Sequence, residues 1–199
     1  MNNKMYEKTI DFYNKNADEF TNNTIDVEFD STQNRFLKKL NSGAYILDFG
    51  CGSGRDTKYF LSKGFKVDAV DGSEEMCKIA SEYTGIEVRN MYFDELDAVD
   101  RYDAIWACAS VLHLTNDDLL EVLKKVSIAL KSEGLLYLSF KYGENEEERN
   151  GRYFNDMTGK KFEEILKELE EFHVREQWIS LDARPERRNE KWMNLILQK

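Results

Sequence analysis

From Tyr45 onward the chain alternates short apolar runs with stretches in which apolar residues recur every three or four positions. Short continuous apolar runs predict buried strands, and a 3.6-residue recurrence predicts helices with one inward face. Residues 44–49 predict a first strand, closed by Gly50-Cys-Gly-Ser-Gly54. A helix follows over 55–62 and stops at Gly64, in the C-terminal position that glycine favours. Residues 65–70 form the next strand, and Ser73 caps a helix carrying Met76, Cys77, Ile79, Ala80 and Tyr83 on one face. Strands over 86–90 and 102–108 come next. Thr115 or Asn116 then starts a helix with Leu119, Leu120, Leu123, Val126 and Leu130 at helical spacing. Gly134 opens a fifth strand at 135–140, and Thr158 caps a helix carrying Phe162, Ile165, Leu166 and Leu169. Two last runs, 172–181 and 191–198, are joined by a short polar loop and pair as antiparallel strands.

Strands alternating with helices give an α/β chain whose parallel sheet is covered on both faces. The two final strands, with no helix between them, add an antiparallel pair at one edge. The whole of 1–199 is expected to form one domain, with a helical N-terminal segment over 1–42 and the α/β core over 43–199. Open sheets of this kind bind ligands beyond the carboxyl ends of their strands. The chemistry is therefore expected in the loops that follow the strands.

Composition narrows the possibilities. The chain carries 28 basic and 38 acidic residues, a formal net charge of −10. That balance opposes a broad phosphate-neutralising surface, so no nucleic-acid partner is expected. No apolar run is long enough to span a membrane, and the segment MNNKMYEKTIDFYNKN lacks a signal-peptide core. Cys51, Cys77 and Cys108 form no C-x-x-C pair, and there are two histidines. A reduced, cytoplasmic protein without a metal site is the expectation.

Gly50, Gly52 and Gly54 stand between a strand and a helix, where absent Cβ atoms let backbone approach a ligand and helix-start amides favour an acceptor group. Asp71, closing the second strand, is placed to accept hydrogen bonds from both ribose hydroxyls. Together they predict a nucleoside site. The loop runs Asp48-x-Gly50-x-Gly52-x-Gly54, which is neither the dinucleotide fingerprint G-x-G-x-x-G nor a P-loop. Asp48 would repel a pyrophosphate and suits a ligand carrying an ammonium and a sulfonium, which points to S-adenosylmethionine rather than NAD.

The segments ILDFGCGSGRD, VDAVDGS and YDAIWACASVLHL resemble the class I S-adenosylmethionine-dependent methyltransferases. The chain looks most like the small bacterial enzymes grouped with the tellurite-resistance type. The resemblance implies a Rossmann-like three-layer sandwich, a mostly parallel seven-stranded sheet with an antiparallel C-terminal strand pair, and methyl transfer to a small acceptor. It places Asp48, Gly50, Cys51, Gly52 and Gly54 at the methionine portion of the cofactor. Asp71, Gly72, Ser73 and Met76 fall at the ribose and adenine. The family often carries a Gly-Asp pair after the third strand; here the segment is Asn90-Met-Tyr-Phe-Asp94, so Met91 or Tyr92 takes the adenine position, with Asp94 as a further candidate. Cys108 ends the fourth strand beside the same site.

Methyl transfer from a sulfonium needs alignment in a dry pocket, and a base only where the acceptor must lose a proton. His113 lies where the family often has a histidine, lining the site or acting as base. The stretch from Phe12 to Phe20 resembles the lid helix of small-molecule methyltransferases, in which an aromatic such as Tyr13 covers the methyl end. Lys141, Tyr142, Arg152 and Arg184 lie in strand-end loops of an acidic chain and are candidates for holding an anionic acceptor. Trp178 and Trp192 are expected in the core or an interface. Pro185 is the only proline, so the proline-paired motif of amino-type nucleic-acid methyltransferases is absent. A non-catalytic module that binds S-adenosylmethionine or S-adenosylhomocysteine, a protein methyltransferase and an NAD-dependent enzyme remain as alternatives. The chain is expected to be a monomer or homodimer.

Overall fold

Seven strands form one sheet whose central strands supply runs buried on both faces, while the helices supply the covering layers and the edge strands stay partly exposed. The computed structural model describes residues 3–199, with side chains from Glu7 onward; Met1 and Asn2, which open the expected N-terminal segment, lie outside the described residues. In chain order the N-terminal helices are α1 (Asn3–Lys15), α2 (Ala17–Asn22) and α3 (Asp30–Leu37). Then follow β1 (Tyr45–Phe49), α4 (Arg55–Ser62), β2 (Lys66–Asp71), α5 (Glu74–Thr84), β3 (Val88–Asn90) and β4 (Tyr102–Ala107). The second half holds α6 (Asn116–Ala129), β5 (Leu130–Lys141), β6 (Glu146–Arg149), β7 (Arg152–Asn155), α7 (Gly159–Leu166), β8 (His173–Leu181) and β9 (Lys191–Gln198).

The sheet order is β3-β2-β1-β4-β5-β9-β8. Strands β1 to β5 pair in parallel, whereas β9 runs antiparallel to both β5 and β8. This is the expected Rossmann-like sandwich, with the last strand returning between β5 and the edge strand β8. On one face Leu47, Ile105, Leu136 and Leu195 pack against Leu119, Leu123 and Val126 of α6 and Phe162 and Ile165 of α7. On the other, Ile46, Ala104, Trp106 and Tyr137 meet Phe36 of α3 and Phe60 of α4. Trp106 stacks on Tyr137 at a centroid distance of 3.8 Å.

One expectation is corrected, and two features go beyond the sequence reading. Helix α6 stops at Ala129, and Leu130 begins β5 with extended backbone, opposite Tyr102. Leu130 fits the helical spacing of Leu123 and Val126, but it reaches the same core from a strand. The N-terminal segment is also not uniform. Only α1, α2 and the following loop cover the carboxyl edge of the sheet, because Phe36 and Leu37 of α3 are buried in the core beneath it. Finally, the acidic stretch before Arg149 forms a hairpin, with β6 paired to β7. Its turn is Asn150-Gly151 with φ of 51° and 75°, the two positive values that a tight hairpin turn demands. The Asn-Gly pair is legible in the sequence, but the glutamates flanking it disguise the strands.

Gly54, expected at the ligand, instead lets α4 approach α5. A Cβ there would lie 2.8 Å from Thr84 Cγ2 and 3.1 Å from Ala80 Cβ, and the residue holds a φ of +80°. Gly54→Ala should therefore lower unfolding free energy by about 2–4 kcal/mol, the sum of overpacking and backbone strain. Urea titration should show a reduced midpoint at unchanged slope. Adding Thr84→Ser, which removes Cγ2, should recover part of the loss; a double variant no more stable than Gly54→Ala would refute the clash.

Candidate active site

The loops after β1, β2, β4 and β5 converge at the carboxyl edge of the sheet, where α1, α2 and the β6–β7 hairpin close over them. Between these elements lies a cavity of about 210 Å³. Its floor includes Asp48, Gly50, Cys51, Gly52, Asp71, Gly72, Cys108 and Ser139, and Phe20 and Met76 stand around its glycine-loop side.

The glycine loop is held against the next strands by its own geometry. A Cβ on Gly50 would sit 2.4 Å from Ser110 Cβ, so only glycine lets the first loop meet the loop after β4. Ser110 fixes that contact by donating to the Phe49 carbonyl at 2.7 Å. A Cβ on Gly52 would instead point between Phe20 and Met76, toward the cavity. The Gly52 amide donates to Asp71 Oδ2 and the Ser73 amide to Oδ1, each at 2.9 Å. Both carboxylate oxygens of Asp71 are thereby aimed, and each retains a lone pair for a ligand hydroxyl. Burial pushes the Asp71 carboxyl up, and the amides of Ser73, Gly52 and Gly72 oppose it.

Two further carboxylates lie beside this loop in opposite states. Asp56 accepts from Trp106 Nε1 at 2.8 Å, Gln33 Nε2 at 2.7 Å and Arg55 Nε at 2.7 Å. Burial pushes its carboxyl up, but the Arg55 guanidinium and these hydrogen bonds outweigh burial and hold it below the usual carboxylate range. Asp48 accepts only from Thr57 Oγ1, at 2.5 Å, among the hydrogen bonds of the described residues. Burial and the nearby Asp56 charge push it up to about 8. Arg55, held over the Phe29 ring at 4.5 Å, reaches the same cavity.

On the hairpin side, His113 joins three distant segments. Its Nδ1 lies 2.6 Å from the Tyr153 carbonyl oxygen of β7 and its Nε2 lies 3.0 Å from Tyr13 Oη of α1. The carbonyl can only accept, so Nδ1 carries the proton and Nε2 accepts from the phenol. Burial pulls the imidazole down to about 4, leaving it neutral at pH 7. Burial likewise pushes up the Tyr13 phenol and the Cys51 and Cys108 thiols, so these three also stay neutral. The Arg152 Nη1 donates to Tyr13 Oη over 3.4 Å.

The structure gathers most of the residues singled out by sequence. Tyr13, Asp48, Gly50, Cys51, Gly52, Asp71, Gly72, Met76, Cys108, His113, Lys141, Arg152 and Arg184 all line the cavity. Five do not. Gly54 serves the α4–α5 contact, and Ser73 caps α5 while donating to Asn14 Oδ1 at 2.7 Å. Met91 packs against the core, Tyr92 is 40% exposed, and Phe93 takes the wall position instead, edge-on to Phe49 at 4.7 Å. The short 3-10 turn Phe93–Glu95 causes this one-residue displacement, because it swings the third residue after the strand inward. Tyr142 lies outside the cavity in an outer groove beside Lys141, Arg152 and Arg187. Within the cavity, Lys141 is paired with Glu190, and Arg184 grips Asp182 through Nε at 2.9 Å and Nη2 at 2.7 Å. Trp192, expected in the core or an interface, lines the cavity and donates to Asp182 at 3.0 Å. Arg55 and Phe93 were missed; an arginine directly after the last glycine of the loop was the available signal for the first.

Among the described residues, no group of three or more metal-ligating side chains is placed to hold an ion, and no helix is long and apolar enough to cross a membrane.

Residues 46–134 match the family model described as "Methyltransferase domain". The chain is 36% identical over 116 residues to an N-terminal Xaa-Pro-Lys N-methyltransferase 1 of Xenopus tropicalis, covering 52% of each chain. It is 33% identical over 110 residues to the putative methyltransferase YqeM of Bacillus subtilis, covering 50% of this chain and 44% of the other. The chain thus spans about half the length of the curated relatives it matches. Among solved structures, a Burkholderia thailandensis 1,6-didemethyltoxoflavin-N1-methyltransferase with bound S-adenosylhomocysteine superposes with a TM-score of 0.76 at 22% identity, covering 96% of this chain and 84% of that one. A magnesium protoporphyrin IX methyltransferase from Synechocystis, also with S-adenosylhomocysteine, gives 0.76 at 15% identity, covering 95% and 96%. The fold is that of the class I methyltransferases.

The buried imidazole makes a pH prediction. Unfolded, His113 titrates near 6.5, and folded near 4. Its contribution is fully present above pH 6.5 and is lost as pH falls through 4, by about 3 kcal/mol in all. The stability difference between wild type and His113→Asn should shrink by that amount between pH 7 and pH 4, since groups common to both proteins cancel. A difference that stays constant across this range would show that His113 is not held neutral.

Proposed function

We propose that this chain transfers a methyl group from S-adenosylmethionine to a small acceptor. The observation that carries the reading is the paired use of Asp71 and the glycine loop, with Arg55 and Asp48 facing the same cavity. Asp71 offers two aimed oxygens to a ribose diol. Arg55, bound to Asp56 through Nε and Nη2, offers its remaining Nη1 to an amino-acid carboxylate, and Asp48 a carboxyl that ionises as an ammonium approaches. A dinucleotide has a pyrophosphate where Asp48 lies, which disfavours NAD. Met76 and Phe93 flank the remaining space as apolar walls for a purine.

When bound, S-adenosylmethionine supplies a methyl group activated on a sulfonium, whose sulfur leaves as a neutral thioether. The chain's own residues orient the acceptor and exclude water. Tyr13 and Phe20, edge-on at 5.1 Å, close the N-terminal side. His113 acts by positioning: both ring nitrogens are engaged, and its low basicity makes it a poor proton acceptor. It holds the Tyr13 hydroxyl toward the acceptor side.

A small acceptor is favoured over a protein terminus by charge. The Xenopus relative is named for acting on Xaa-Pro-Lys N-termini, which are cationic. Here the wall opposite the glycine loop carries Lys141, Arg152 and Arg184, and α1 and the hairpin narrow the approach. Among the described residues the three cysteines are unpaired, which supports a reducing compartment such as the cytoplasm.

Calorimetric titration with S-adenosylmethionine, S-adenosylhomocysteine and NAD tests the cofactor. Both adenosyl ligands should bind, and Asp71→Ala should weaken them by roughly ten- to a hundredfold through loss of two charge-assisted hydrogen bonds. Binding of NAD alone would overturn the proposal. Binding of the adenosyl ligands with no turnover on any small acceptor would favour a non-catalytic module.

A further inference from the structure

Seven cations line the cavity or its outer groove; four of them are neutralised within the protein, and Arg187 and Lys191 are exposed to solvent. Arg55 is held by Asp56, Lys141 by Glu190, Arg184 by Asp182 and Arg149 by Asp156. Arg152 differs. Among the described residues it has no carboxylate partner, and its Nε is buried without a hydrogen bond. The Arg149 Nε also lacks a hydrogen bond, but its guanidinium already faces Asp156. The one side-chain bond that Arg152 makes among the described residues, to Tyr13 Oη, is long at 3.4 Å. Its guanidinium carbon lies 4.2 Å from the Phe12 ring centroid, 5.2 Å from Phe154 and 5.6 Å from Tyr13. Aromatic faces stabilise a cation but leave the N–H edge of the fork unsatisfied.

A charged group with unmet donors in a partly desolvated wall is poised for an anion, and a guanidinium fork matches a carboxylate in two hydrogen bonds. Arg152 also has the right place. It lines both the inner cavity, beside Tyr13 and His113, and the outer groove that Lys141, Phe154 and Arg187 share with that cavity. An anion entering by the groove reaches Arg152 before it reaches the glycine loop. In a chain of net charge −10, this cluster is a local exception.

We propose that Arg152 is the anchoring site for the methyl acceptor, and that the acceptor is a small organic anion bearing a carboxylate on a flat, apolar body that packs against Tyr13 and Phe154, the aromatic residues that line the cavity beside Arg152. The proposal rests on the methyltransferase reading above and names its substrate class. Lys141 and Arg184, locked to Glu190 and Asp182, shape the wall without binding the anion directly. Arg152 stands on β7, so the turn at Asn150-Gly151 is what delivers it to the site.

The test is calorimetry of the protein loaded with S-adenosylhomocysteine, titrated with benzoate and with its neutral isostere benzamide. Benzoate should bind at least about tenfold tighter than benzamide. Arg152→Met should remove roughly tenfold or more of the benzoate affinity while S-adenosylhomocysteine affinity changes less than about twofold. Arg152→Gln serves the same comparison if the methionine variant fails to fold. Equal binding of the two probes, absence of benzoate binding, or benzoate affinity unaltered by the substitution would each overturn the anion site. If S-adenosylhomocysteine itself does not bind, the cofactor reading fails separately, and the same comparison on the protein alone still decides the role of Arg152.

Discussion

The buried carboxylate of Asp56 is the constraint from which the site is built. A charge in that position is tolerable only with a full set of donors, and it receives them from three elements: Gln33 of α3, Trp106 of β4 and Arg55 of its own helix. The indole that donates is itself fixed by Tyr137 beneath it and by Phe36 and Phe60 around it. The hydrophobic core therefore sets the position of Asp56, and Asp56 sets the position of Arg55 on the cavity wall. Burial and this charge together push the neighbouring Asp48 carboxyl up, so that it stays protonated in the empty site. One buried ion pair thus prepares both a cation for an anionic group and a latent anion for a cationic one.

The opposite side of the cavity is assembled without a covalent or local rule. Tyr13 belongs to α1, His113 to the loop after β4 and Tyr153 to the hairpin, yet two hydrogen bonds of 3.0 and 2.6 Å join them in a line. Thr9 reinforces this closure by accepting from the Tyr153 amide at 3.3 Å, and Lys8 pairs with Glu148 across the same junction. Local opening of either covering segment would expose the imidazole to water and remove its reason to stay neutral. Chemistry on this side is coupled to closure, whereas the glycine-loop side is held by the sheet itself.

The sheet holds it through strand ends. Gly50 meets Ser110, and Asp71 binds the Gly52 and Ser73 amides, so the loops after β1, β2 and β4 are mutually fixed. Preorganisation of this kind costs nothing further when a ligand binds. Among the described residues Arg152 lacks such internal satisfaction, and the proposed anion would supply it.

The α/β order, the caps at Ser73 and Thr158, a helix start at Thr115 or Asn116, the antiparallel close of the sheet, and the glycine loop with Asp48 and Asp71 were all legible in the sequence. Each of these follows from periodicity or from a backbone requirement expressed within a few residues. The sequence left other matters open. Leu130 fitted the helical spacing of α6, and only its pairing with Tyr102 assigned it to β5. Gly54 shared a motif with Gly50 and Gly52, but the approach of Thr84 and Ala80 gave it a packing role. Phe93 rather than Met91 or Tyr92 reached the cavity, because a single 3-10 turn reset the direction of the side chains. Sequence also grouped Lys141, Arg152 and Arg184 as equivalent cations. Tertiary structure separated them, since charge neutralisation depends on which carboxylates the fold brings within reach, and that distance is not written in either residue's neighbours.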